Sequence, residues 1–195
     1  MATQTLIQPY LVSSAIHTSP NFVGGAENPE FIEVASSSWE QGAFLYIDSD
    51  GKVAIAGLTG QRVNTAISLQ ATKAATGTTG AAVHARVVHS TDIYMMNVYH
   101  TTAASAVTAQ TQLGEIFGIY YVSATEKFHV DLVNTTVEDA STALAKVRCV
   151  GFPRKNIDGV DCDHTDIYGL MLVQVLPITH RSDGTAFVRN LQLSS

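Results

Sequence analysis

Ionisable side chains crowd one short stretch of the chain, at Asp158, Asp161, Asp163, His164 and Asp166. Carboxylates two or three residues apart can ring a hard cation through oxygen ligands. This spacing is not that of an EF-hand loop and no Glu closes it, so the stretch reads as a solvated acidic loop. Asp48, Ser49, Asp50 and Gly51 resemble a calcium loop faintly, but a hairpin turn accounts for them without an ion. The histidines (His17, His84, His89, His100, His129, His164 and His180) form no HExxH or His-x-His pattern. A nucleophile needs an adjacent base, and no Ser or Cys sits in a GxSxG elbow. Cys149 and Cys162 have neither CxxC nor metal-ligand spacing and read as buried or half-buried thiols. A disulfide between them would require a geometry that spacing does not define. Gly77 to Gly80 lacks the Lys of a phosphate loop, and Asn134, Thr135 and Thr136 match a glycosylation pattern with no secretion signal beside it. The expectation is a chain with no catalytic residue, no cofactor and no metal.

The 195 residues carry a formal charge of −6, which argues against a nucleic-acid partner bound through a basic face. With 46% apolar residues a packed core is expected, and with 14% charged residues the surface is built from Ala, Thr, Ser, Val and Gly. Such a surface loses little hydration when covered, which fits an assembly subunit. No apolar run approaches the roughly 20 residues of a membrane span. The first ten residues contain no cationic region followed by an apolar one, so no signal peptide is expected.

The elements that organise the chain are strands. Phe44 to Val53 gives an apolar run, the Asp50-Gly51 turn and the start of a second strand. Alternation predicts further strands over 30–35, 65–70, 83–88, 93–99, 113–122, 128–133 and 147–152. In 83–88 it places His84 and Arg86 outward, and it puts His129 on a solvent or interface face. Ile167 to Ile178 is the most apolar segment and reads as a strand buried on both sides. Thr101 to Gln112 reads as a loop, Val137 to Ala145 as the one short helix, and Trp39 as a core or interface plug. The fold expected is all-β: an antiparallel β-barrel or β-sandwich over residues 29–178, an extended N-terminal arm over 1–28 and a C-terminal tail over 179–195. The arm is too apolar for a solvated linker and should lie on its own barrel or on a neighbouring subunit.

The run from Trp39 to Val53 is similar to the opening of small virion proteins of tailed bacteriophages, a group that includes head decoration, or cement, proteins. Ile93 to Val98, Leu113 to Tyr120 and Val147 to Pro153 are similar in style to the same group, so the resemblance covers roughly residues 30–153. It implies a barrel or β-tulip-like subunit, often a trimer, clamped over capsid-protein junctions on the capsid exterior after synthesis in the host cytoplasm. The implied partners are the major capsid protein and further copies of the chain, with no nucleic acid and no membrane. The residues expected at such an interface are Leu6, Ile7, Tyr10 and Leu11 in the arm, Thr78 and Thr79 in the Ala-rich loop, and Phe187, Val188 and Leu191 in the tail. The competing reading is a tail or fibre module that binds a carbohydrate or another virion protein. It needs exposed aromatic rings, for which Tyr94, Tyr99, Tyr120 and Tyr121 are the candidates.

Overall fold

The computed structural model describes residues 2–13, 30–34, 38–47, 50, 52–55, 66–69, 81–89, 91–122, 125–133, 146–175, 178–180 and 186–188. The fold is all-β. Its strands are β1 (Tyr10–Ser13), β2 (Glu30–Glu33), β3 (Phe44–Ile47), β4 (Lys52–Ile55), β5 (Ala66–Ser68), β6 (Ala82–Val87) and β7 (Ile93–Tyr99), followed by β8 (Ile116–Val122), β9 (Lys127–Asp131), β10 (Lys146–Gly151), β11 (Leu170–Val175), β12 (Ile178–His180) and β13 (Ala186–Val188). Two short 3₁₀ turns, Ala103–Ser105 and Gln110–Gln112, interrupt the segment read as a loop. The helix expected over 137–145 lies outside the described residues.

Two closed five-stranded barrels form, one from β2 to β6 and one from β7 to β11. They follow the same plan. In each, the first strand pairs in parallel with the third (β2 with β4, β7 with β9), and every other contact around the ring is antiparallel. The second strand of each barrel enters through the same device. Gly42, at φ +87°, donates its N–H to Ser68 O, and Ser68 N–H donates to Ala43 O. Gly114, at φ +86°, donates to Cys149 O, and Cys149 N–H donates to Glu115 O. This is the β-bulge with a left-handed glycine, which bends a strand sharply enough to turn a barrel corner. The Asp50-Gly51 signal is matched by an antiparallel hairpin, with Leu45 opposite Ile55 and Ile47 opposite Val53.

One continuous core joins the barrels. The Phe44 ring, from the first, meets the edges of Tyr94 and Phe128, from the second, with centroids 5.6 Å apart in both cases and near-perpendicular planes. Beside this contact Asp92, fully buried, accepts from Arg86 at 3.3 Å, from the Tyr94 hydroxyl at 3.1 Å and from His89 N–H at 3.1 Å. Arg86 is therefore buried rather than solvent-exposed as alternation suggests, because Asp92 covers it and compensates its charge. Trp39 is buried as a plug, its indole N–H donating to Ser68 Oγ at 2.9 Å.

The two bulge glycines differ in what surrounds them. A side chain at Gly114 would meet nothing within 4 Å, whereas one at Gly42 would lie 3.0 Å from Gln8 Cβ. Gly114→Ala should cost only the left-handed strain, on the order of 1 kcal/mol. Gly42→Ala should cost more, because it also displaces the N-terminal segment. Urea unfolding of the two variants checks this order.

Candidate functional site

Among the described residues, several surface features sit on and around the second barrel. β7 is its first strand and has three partners. Ile93 to Asn97 pair with β11, and the other edge is divided: β1 takes Ile93 to Met95, and β9, running parallel, takes Val98 and Tyr99. Tyr94, Met96 and Val98 fill the interior, so Met95, Asn97 and Tyr99 face outward.

The N-terminal segment covers the first part of that outer face. Ile7 packs on Met95 and Leu170, and Leu11 reaches the main core. Polar groups fix its path. Buried Asn97 accepts from Ile7 N–H at 2.8 Å and donates to Thr5 O at 3.2 Å and Tyr168 O at 2.7 Å. Asp166 accepts from Ala2 N–H at 3.2 Å, Gln4 Nε2 at 2.6 Å and Asp163 N–H at 3.0 Å. The bonds from Asp163 and then Gln4 hold its carboxyl below the usual carboxylate range. Gln8 then crosses to the junction of the barrels, donating to Glu40 Oε2 at 3.2 Å and to Glu126 O at 2.7 Å. Of the two positions open to the arm, residues 2–13 take the one on their own barrel.

Beyond Pro9 the character changes. Among the described residues β1 pairs with β7 alone, which leaves its second edge open. Tyr10 is 52% exposed and Val12 46% exposed, while Leu11 between them faces in. Of the expected interface residues, then, Ile7 is buried, Leu6 and Leu11 are half-buried, and Tyr10 is at the surface. Phe187 and Val188 lie in β13, opposite Thr179 and Ile178 of β12. Thr78, Thr79 and Leu191 lie outside the described residues, as do the glycine-flanked loop and Asn134.

The acidic stretch is structural. Lys155 Nζ bonds Asp161 at 2.7 Å, Asp163 accepts from Thr165 N–H and hydroxyl, and Asp166 anchors the arm. No three His, Cys, Asp or Glu side chains among the described residues are placed to share an ion. Beside this hairpin lies a cleft of ≈ 530 Å³ walled by Leu113, Val150, Phe152, Arg154 and His164. In it Thr108 Oγ1 lies 3.0 Å from His164 Nδ1, and the His164 ring meets Phe152 edge-on. Cys149 and Cys162 are both free thiols, and burial raises the pKa of each.

The tyrosines divide cleanly. Tyr94 is fully buried, and Tyr121 leans on Phe128 at the core. Tyr99 and Tyr120 face out and stack, with ring centroids 4.4 Å apart and planes 19° from parallel. Beneath them is His129, directly across the strand pair from Tyr120. It is 1% exposed, not the surface residue expected from alternation, because Tyr99 and its neighbours on the outer face close over it.

Neither His129 ring nitrogen has a hydrogen-bond partner among the described residues. Burial first, and Lys127 second, hold its pKa down to about 4. A histidine held neutral in the fold contributes stability above its unfolded pKa and loses it as pH falls toward the folded value. Between about pH 6.5 and 4 this site should cost about 3 kcal/mol. His129→Phe should unfold less steeply with pH over that window than the parent, as urea melts at stepped pH would show; parallel slopes would contradict it. Comparisons with protein-family models, curated proteins and solved structures return no match to this chain.

Proposed function

We propose that the chain is a structural virion protein that decorates a phage head from outside and stabilises it by bridging neighbouring copies of the major capsid protein. Its all-β character and sparse charge support this reading. The observation that carries it is the edge of β1. Both barrels bury their strand edges by closing, yet among the described residues β1 has no partner on its second edge, and it contains no Lys or Pro of the kind that blocks edge-to-edge pairing. An edge of this sort recruits an extended segment of another chain through main-chain hydrogen bonds, with alternate side chains, here Tyr10 and Val12, setting specificity.

The mechanism is mechanical. Packaged DNA presses capsomers apart, and a subunit anchored on two of them adds contact that must be broken before they separate. Residues 2–9, stapled to the second barrel, transmit that load into a rigid body rather than into a loose tether. A homotrimer placed on the capsid exterior would repeat the contact around a symmetry axis and close its own edges.

Val12→Lys puts a charge on the open edge without touching the core. Attachment to purified empty heads should weaken at least ten-fold in a co-sedimentation titration, while the far-UV spectrum and melting temperature stay those of the parent. Undiminished attachment would remove β1 from the interface. A parent protein that ignores heads would sink the reading as a whole.

A further inference from the structure

The outer face of the second barrel carries groups that barrel construction does not call for. On β8 and β9 Tyr120 lies opposite His129, whose buried imidazole has no partner for either nitrogen among the described residues, which is a cost to folding. Above that imidazole stands the Tyr99–Tyr120 stack, and Tyr120 keeps 41% of its surface open. Burial, followed by the closeness of Tyr120, raises the Tyr99 hydroxyl's pKa. Tyr168, whose carbonyl accepts from buried Asn97, holds a left-handed φ of +56°, an unusual conformation for a bulky residue.

We propose that this face is a saccharide-binding site, with Tyr120 as the stacking platform. A pyranose has an apolar C–H face and a rim of hydroxyls. The electron-rich face of an aromatic ring attracts the former, and nearby polar groups take the latter. Tyr120, stacked by Tyr99 on one face, is 41% exposed, which suits a flat sugar. A quaternary cation would instead need several rings set at angles around it. Because Tyr99 already holds the ring, binding immobilises no further side chain there. The hydroxyls of Tyr99 and Tyr120 form the polar rim, and His129 lies buried beneath the stack. This site is independent of the β1 edge, so a decorating subunit that presents it outward would carry a glycan-adhesion function in addition to clamping.

Calorimetric titration of the purified chain with maltohexaose, chitohexaose and mannohexaose tests the proposal. At least one hexasaccharide should bind, Tyr120→Ala should weaken it ten-fold or more, and Tyr120→Trp should retain it. No binding by any of the three, or equal binding by the parent and Tyr120→Ala, overturns the proposal. If Tyr120→Ala fails to fold, the ring resonances of Tyr99 and Tyr120 in the parent decide. Their movement on titration supports the site and their constancy rejects it.

Discussion

A single strand with more claimants than edges shapes this molecule. β7 must supply one continuous edge to β11 and divide the other between β1 and β9. Because β9 joins in parallel over only Val98 and Tyr99, the barrel closes on a short seam, and the remaining length of β7 would stand unpaired without the N-terminal segment. That need explains the density of polar fixings along residues 2–8, where Asn97 and Asp166 receive a segment that comes from far away in the chain. It also brings Tyr99 to the end of the seam, where it meets Tyr120 and roofs His129.

The two barrels show what is scaffold and what is elaboration. The ring order, the parallel closure and the left-handed glycine at the entry to the second strand occur in both. Their interiors merge through Phe44, Tyr94 and Phe128, with the Arg86–Asp92 ion pair alongside. The differences gather on the second barrel's outside. It alone carries the docked arm, the acidic hairpin with its cleft, and the tyrosine pair over a buried histidine, all among the described residues. Recognition surfaces are expected where a common plan is varied, because the packing that makes the fold is already met by the shared part.

Much of the strand inventory was legible in the sequence because it is local. The Asp50-Gly51 turn, the period-two runs at 93–99 and 128–133 and the apolar 170–175 segment each state their conformation within a few residues. Closure was not legible. Alternation says which side chains share a face but not that β2 meets β4 in parallel across an intervening strand, so one barrel or sandwich was expected where two barrels stand. Arg86 and His129 were misplaced for the same reason: a position facing away from one core can still be covered by something distant, Asp92 in one case and Tyr99 in the other. The tyrosines were legible as candidates, and only the register separated the outward pair from the inward one.

The account rests on the edge of β1 being completed by another chain. Hydrogen exchange followed by mass spectrometry reads that edge directly, on a peptide covering Tyr10 to Ser13, with and without empty phage heads. Amides on the open side should exchange quickly in the isolated protein and become protected on heads, while those bonded to β7 stay slow in both states. Equal exchange at Tyr10 to Ser13 in the two states, with the protein demonstrably bound, would contradict it.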